Sequence, residues 1–371
     1  MQLNLLTDLV ERFFIRTVVL TCVAWLPLVL LSMVEGTLFT GVDIPFLKDV
    51  VPNARCLLII PLLSLVGVFI VPILANVDKY MKTSGIIADD ELSVYSQYVN
   101  QRSELADANW MNLVLLISAF IAGWLMKEDY TELFNLHNLS SWAIYVSDTT
   151  TESSLAGLWF AYISIPVASF LLYKWLWRFF VWCFFLFRVS RLNLQLQATH
   201  SDLSGGLGVI GNAQNMFGVL FMAMAILTSA ALANELIYER AQLADVKLFV
   251  FIYLFSSVIF INAPLLVFSG KLFKLKRQAL MQYSILQCHS SKDFHKHWIS
   301  DKHKNMVDSM QPSAIADYNV VYEIVNSIRL IPLNPRGVVV MVTLILTPFL
   351  PLVLTQSSIR EVILEIVGSV L

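Results

Sequence analysis

One polar stretch near the middle of the sequence carries residue types that could bind or react. It covers residues 200–208, has the sequence His-Ser-Asp-Leu-Ser-Gly-Gly-Leu-Gly, and lies between long apolar runs. Its glycines permit backbone conformations that point successive N–H groups into one concavity, which suits a phosphate or a carboxylate. The stretch also precedes a predicted helix, whose N-terminus favours an anion. The glycines expected to form this concavity are Gly205, Gly206 and Gly208.

Polar side chains beside these glycines complete the candidate ligand-binding or gating site. His200 and Asp202 are close enough in sequence to pair, and a pair of this kind can titrate near neutral pH. Ser204 belongs to the same loop, and Arg188 and Arg191 could add positive charge from the membrane side. The spacing matches neither a Walker loop nor a dinucleotide fingerprint. A purely structural turn between two helices therefore stays the alternative.

Other groups of reactive residues are weaker candidates. His289, His295, His297 and His303 follow one another in a polar segment, but His295 and His297 would lie on different faces of a helix. A solvated helix is therefore expected there, without a metal ion or a cofactor. The sequence has no GxSxG, HExxH or P-loop motif and no paired-carboxylate arrangement, so we predict no catalytic residue.

The elements that must position these residues are predicted to be membrane-spanning helices. Of the 371 residues, 57% are hydrophobic and 14% are charged, whereas charged residues make up about 25% of soluble domains. The apolar residues cluster in runs of about 20, the length that crosses the hydrocarbon core as a helix. These runs lack the period-2 alternation of barrel strands. The sequence therefore predicts an all-α, polytopic transmembrane bundle.

We predict about seven spans, at residues 17–34, 54–74, 110–126, 155–173, 216–236, 246–268 and 337–354. Six would remain if the last run, broken by Pro348 and Pro351, is re-entrant. The apolar run 155–187 would measure about 50 Å as one helix. It is therefore either a span followed by an interfacial segment, with Trp175, Trp177 and Trp182 at headgroup level, or one tilted helix that protrudes into the cytoplasm.

The chain divides into three predicted parts. Residues 1–268 form the transmembrane bundle with short cytoplasmic loops, 269–336 a cytoplasmic helical segment, and 337–371 the final span with an amphipathic C-terminal helix. With the N-terminus inside, most of the 25 lysines and arginines fall on the cytoplasmic side. The exceptions are Lys48, Arg55, Lys127, Arg240, Lys247 and Arg360. The positive-inside rule therefore places the central loop in the cytoplasm.

Basic residues next to the spans are expected to contact lipid headgroups. Lys174 and Arg178 lie four residues apart, hence on one helical face, and their long side chains can reach water from the membrane. A basic run follows the sixth span and is expected to meet anionic lipids. Its residues are Lys271, Lys274, Lys276 and Arg277.

The segment 199–208, Thr-His-Ser-Asp-Leu-Ser-Gly-Gly-Leu-Gly, resembles a loop of a family of bacterial multi-pass inner-membrane proteins of uncharacterised activity. That family carries Thr-His-Pro-Asp-x-x-Gly-Gly-Leu-Gly between spans, and Ser201 stands here in place of its proline. The resemblance extends over about 191–354, where it takes in Phe-His-Lys-His-Trp at 294–298 and Ile-Arg-Leu-Ile-Pro at 328–332. It implies the bacterial inner membrane and the topology above, and it implies no reaction.

The spans hold almost no ionisable residue away from their ends, which argues against an ion-coupled transporter. A passive channel needs no charge inside the membrane. The leading hypothesis is therefore an oligomeric channel or pore in the lipid bilayer, gated from the cytoplasmic side. A signalling or scaffold protein whose 269–336 segment docks a soluble protein is one alternative. A lipid-active enzyme using His200 and Asp202 as acid and base is another. Nothing in the sequence suggests a nucleic acid as a partner.

Overall fold

The computed structural model describes residues 2–137, 140–146, 151–239, 243–296 and 311–354. Across these ranges the chain is helical apart from loops and one short antiparallel hairpin, in which β1 (Ile144–Val146) pairs with β2 (Thr151–Ser153). Seven helical stretches are long and apolar enough to cross a membrane. The predicted all-α multi-pass bundle is therefore confirmed.

The helices in the N-terminal half are α1 (Gln2–Val34), α2 (Val50–Ala54), α3 (Ile60–Thr83), α4 (Leu92–Ala106), α5 (Asn109–His137), α6 (Leu155–Trp159) and α7 (Ile165–Val189). Those in the C-terminal half are α8 (Gly208–Met216), α9 (Gly218–Asn234), α10 (Leu243–Asn262), α11 (Ser269–Phe294), α12 (Gln311–Asn326), α13 (Pro335–Leu346) and α14 (Leu350–Leu354).

Several boundaries between consecutive helices fall at prolines. A wide π turn, Arg55–Ile59, joins α2 to α3 just before Pro61, and a second, Phe160–Ser164, joins α6 to α7 just before Pro166. Proline lacks an N–H group and clashes with the carbonyl one turn earlier, and a π turn gives that carbonyl room. The helical path therefore continues through each proline instead of ending there.

Residues 155–189 form one continuous helical path of 35 residues. The continuity of this path supports the single long helix, whose tilt and protrusion into the cytoplasm stay predictions. Of the tryptophans expected at headgroup level, Trp175 and Trp182 are buried in the protein, and Trp177 is half-buried. Trp175 Nε1 donates to the carbonyl of Leu63 at 2.8 Å, and Trp182 Nε1 donates to Gln214 Oε1 at 2.7 Å. An indole N–H needs a hydrogen-bond partner, and neighbouring helices supply it here.

Helix α7 lies at the centre of the bundle, where it packs against α3, α4, α5 and α9. Its inner face joins an aromatic core with side chains from α9 and α10. The rings of Phe179 and Phe217 are edge-to-face with their centroids 5.3 Å apart, and the ring centroids of Phe221 and Phe260 are 5.7 Å apart. Such pairs each add about 0.5–1.5 kcal/mol beyond their buried area. In the described part of the chain, rings fill the interior of the bundle.

The loops separate onto two ends of the bundle. At one end, the backbone N–H of Gln195 donates to the carbonyl of Ile86 at 2.6 Å. At the other end, Asn234 Nδ2 donates to Asp49 Oδ1 at 2.9 Å and Ser140 N–H donates to Asp43 Oδ2 at 2.9 Å. The segments predicted to be cytoplasmic meet at the first end. The predicted C-terminal amphipathic helix at 357–371 lies outside the described residues.

Candidate functional site

Asp202 occupies the centre of the loop between α7 and α8. Its Oδ1 accepts hydrogen bonds from the N–H groups of Ser204 at 2.9 Å and Gly206 at 3.1 Å, and its Oδ2 accepts from Gly208 at 2.7 Å. The concavity of backbone N–H groups predicted from the glycines therefore exists, and the carboxylate it holds belongs to the chain itself. An external anion in the same position would have to displace Asp202.

The loop has a backbone that depends on glycine. Gly205 has φ +67° and Gly206 has φ +96°, and Leu203 also has a positive φ of 55°. Glycine adopts such angles without a steric cost, whereas other residues do so rarely. A Cβ atom on Gly206 would also come within 2.7 Å of Ile86 Cδ1. The backbone path of the loop therefore depends on glycine at positions 205 and 206.

His200 joins the loop to α3. Its Nδ1 lies 2.8 Å from Asp202 Oδ1, and its Nε2 lies 3.3 Å from the hydroxyl of Tyr80. Nδ1 also lies 3.3 Å from the backbone N–H of Asp202, but one nitrogen cannot donate and accept at once. The shorter contact is with a carboxylate, so we assign the proton to Nδ1. In the neutral ring Nε2 then accepts from Tyr80, and the three side chains form an Asp–His–Tyr chain.

These residues line a cavity of about 400 Å³, which we call the loop cavity. Of the residues predicted from the sequence, the loop cavity brings together His200, Asp202, Ser204 and Gly208. It also includes residues that the sequence did not single out as a site. These are Tyr80, Asn212, Arg329 and Asn334, together with Ser201, Leu203, Val209 and Leu333.

Arg329 supplies a cationic side chain to the loop cavity. Its backbone N–H donates to the carbonyl of Leu203 at 2.8 Å, and its Nη1 donates to the carbonyl of Leu333 at 2.7 Å. Among the described residues, the other guanidinium nitrogens have no hydrogen-bond partner. The motif Ile-Arg-Leu-Ile-Pro at 328–332 marked this segment in the sequence. Tyr80 had no comparable signal, since it lies 120 residues from His200.

The structure does not bring Arg188 or Arg191 to the loop cavity. Arg188 donates from Nη1 to Gln101 Oε1 and lies 4.1 Å above the ring of Tyr98. Arg191 lies 4.8 Å from the ring centroid of Phe187 and is exposed. Both guanidinium groups are therefore engaged by aromatic rings on the α4 and α7 side. Their predicted gating role stays a prediction.

The basic residues expected at the headgroups have protein partners in several cases. Arg178 Nη2 lies 2.6 Å and Lys174 Nζ 3.8 Å from Asp107 Oδ1. Lys271 donates to the carbonyl of Leu192, and Lys276 Nζ donates to the carbonyl of Ile328 at 3.0 Å. Lys274 and Arg277 are exposed. The binding of lipid headgroups by these six basic residues stays a prediction.

A second cleft, of about 200 Å³, opens between α3, α4 and α7. On its wall Arg102 forms a two-pronged pair with Asp78, at 3.0 and 2.6 Å, and lies 4.7 Å from the ring centroid of Phe185. The pair ties α4 to α3 at the end of the bundle that carries the loop cavity. No sequence pattern predicted this pair, because Asp78 and Arg102 lie on different helices.

His297 and His303 lie outside the described residues. Across the ranges that are described, no three His, Cys, Asp or Glu side chains are arranged to hold a metal ion.

No protein-family model, curated protein or solved structure matches the chain. The protein is an integral, multi-pass helical membrane protein. Seven candidate spans, with large apolar side chains exposed along them, establish this class.

Proposed function

We propose that the protein is an oligomeric channel or pore of the bacterial inner membrane, gated from the cytoplasmic side through the loop cavity. The observation that carries the proposal is the convergence of three candidate spans on that cavity. Tyr80 belongs to α3, Asn212 to α8, and Asn334 directly precedes α13. A ligand bound there would contact residues of all three spans at once, as gating requires.

The sidedness of the proposal rests on the basic residues. Those of the segments 75–108 and 269–336 lie on the same side of the predicted topology as the loop, and the positive-inside rule makes that side cytoplasmic. The resemblance of residues 199–208 to inner-membrane proteins supports the location. Within 269–336, α11 packs against α12 around Ala279, Val325 and Ile328. This helical pair is the part that would meet a cytoplasmic protein partner.

The path through the membrane is proposed to lie between copies of the chain. In the described residues, aromatic side chains close the interior of the single bundle, as for Phe179, Phe217 and Phe260. Large apolar side chains of α1, α5 and α10 are exposed instead, among them Leu26, Ile121 and Phe255. These faces can contact lipid or another copy, so an oligomer is part of the proposal.

Recordings from the purified full chain in planar bilayers test the proposal. We expect single-channel currents whose open probability depends on the side chains of the loop cavity. His200→Gln should change that open probability, because it removes the imidazole that lies between Asp202 and Tyr80. The matched control is His289→Gln, because His289 is exposed on α11 and is not among the lining residues. Silent bilayers would rule out the channel.

An acid–base enzyme acting on polar lipids is a second candidate, favoured by the Asp202–His200–Tyr80 chain. A carboxylate that fixes an imidazole tautomer leaves the opposite nitrogen as a general base, and here that nitrogen, Nε2, meets the hydroxyl of Tyr80 in the cavity lining. Incubating the protein with native lipid extract and following lipid composition by mass spectrometry tests this candidate. Turnover that is the same for wild-type protein and His200→Ala would exclude it.

A further inference from the structure

The loop cavity offers more unused hydrogen-bond donors than acceptors. The guanidinium of Arg329 is free beyond Nη1 among the described residues, and Asn212 exposes its amide at the rim. Asn334 Nδ2 donates to Asn212 Oδ1 at 3.0 Å, which leaves the Asn212 NH₂ group directed elsewhere. A donor-rich cavity with a planar guanidinium suits an anion with several oxygens.

Asp202, the one carboxylate that lines this cavity in the described part of the chain, does not oppose such an anion strongly. Asp202 accepts three backbone N–H bonds and the contact from His200, so its charge is compensated within the loop. Arg329 forms no ion pair with Asp202 within the described contacts. The guanidinium charge is therefore available to an incoming group.

Ser204 gives a separate indication of a ligand-binding position. The residue is 1% exposed and lines the cavity, and its Oγ has no hydrogen-bond partner among the described residues. A buried hydroxyl without a partner is destabilising, and most such groups in native proteins are satisfied by protein, water or ligand. The hydroxyl therefore marks a position for a ligand oxygen or nitrogen.

We infer that the loop cavity binds a phosphoryl group, with the Arg329 guanidinium as its charged partner and the Ser204 hydroxyl as a further contact. The inference rests on the proposed control role of this cavity and names the chemistry that it would respond to. A phosphoryl group offers three terminal oxygens and fits the guanidinium in two-pronged fashion. The cavity, at about 400 Å³, exceeds a bare phosphate ion and has room for a small ester.

Equilibrium binding to the full chain in phosphatidylcholine nanodiscs tests the inference. The probes are inorganic phosphate, glycerol 3-phosphate, and nanodiscs that contain a minor fraction of phosphatidic acid, followed by ³¹P NMR and calorimetry. Arg329→Gln should weaken binding at least about tenfold, because a charge-assisted contact is lost. Ser204→Ala should weaken it by roughly two- to tenfold through the loss of one neutral hydrogen bond.

Arg336→Gln is the matched control, since Arg336 is an exposed basic residue near the same cavity but not among its lining. It should bind like wild-type protein. If Arg329→Gln does not fold, Ser204→Ala decides, because the Ser204 hydroxyl has no partner to lose among the residues that the structure describes. Saturation by the soluble probes identifies a cytoplasmic solute, and a response to phosphatidic acid alone identifies a lipid headgroup.

Absence of saturable binding to every probe would overturn the inference, as would equal affinities for wild-type protein, Arg329→Gln and Ser204→Ala. The result is independent of the channel assay. Silent bilayers with intact, Arg329-dependent binding would remove the channel and leave the phosphoryl site. Pores that conduct without any such binding would do the reverse.

Discussion

At the scale of single residues, Asp202 organises the loop through its carboxylate. Asp202→Asn would place an NH₂ group against a backbone N–H, because both carboxylate oxygens accept from backbone donors. We expect a loss of about 1–3 kcal/mol in unfolding free energy, the usual effect of a buried donor left without an acceptor. Thermal unfolding in detergent measures it. Asp317→Asn, at an exposed position of α12, is the control and should leave the midpoint unchanged.

Asp49, one residue before the span Val50–Thr83, gives a prediction about pH. Burial raises the pKa of this carboxyl, while hydrogen bonds from Trp142, Asn234 and Val51 and the charge of Arg55 partly oppose the rise. A raised pKa in the folded state means that protonation favours folding. This contribution is complete below the ordinary value of 3.8 and is lost as the pH rises through the folded-state pKa.

Asp49 should therefore contribute an increase in the unfolding free energy as the pH is lowered from neutral toward its ordinary pKa. Asp49→Asn should remove that component of the slope. The variant also loses the hydrogen bond from Trp142, but that cost does not vary with pH, so the slope is the readout. Parallel slopes for the two proteins in denaturant titrations at several pH values would contradict this account.

At the scale of helices, close backbone contact between α8 and the segment before α13 depends on Gly211. A Cβ atom there would lie 1.8 Å from the carbonyl oxygen of Pro332, which is backbone and cannot move aside. Gly211→Ala should therefore destabilise the fold by about 1–3 kcal/mol. Gly270→Ala is the matched control, because nothing lies within 4 Å of its added Cβ. It should stabilise α11 by up to about 1 kcal/mol.

The sequence predicted the helices whose position depends on hydropathy alone. Continuous apolar runs predicted the spans, and the glycine pattern of 205–208 predicted a concavity of N–H groups. The group that occupies this concavity was not predictable, because the path of the loop brings the Asp202 carboxylate back to the N–H groups of its own loop. The partnership of Tyr80 with His200 and the position of Arg329 depend on tertiary packing over 120 or more residues. Arg188 lies away from the loop cavity because its helical face, and not its distance in sequence, determines which groups it contacts.

At the scale of the whole molecule, the proposed orientation places the two ends of the bundle on opposite sides of the membrane. A native cysteine can report which end faces the cytoplasm. Cys288 is exposed on α11, at the end proposed to be cytoplasmic, whereas Cys56 is buried. Cys22 is exposed on the candidate span Phe13–Val34, where the bilayer would cover it. Cys183 is half-buried on α7.

A membrane-impermeant maleimide should therefore label the protein in inverted inner-membrane vesicles and leave it unlabelled in intact spheroplasts. Cys288→Ser should abolish the labelling, which assigns the signal to that thiol. Labelling in intact spheroplasts would reverse the proposed orientation. The loop cavity lies at the same end of the bundle as the start of α11. There Lys271 donates a hydrogen bond to the carbonyl of Leu192, which belongs to the loop between α7 and α8. Reversal would therefore also place the cavity on the outer face. It would contradict the proposal that gating responds to cytoplasmic conditions.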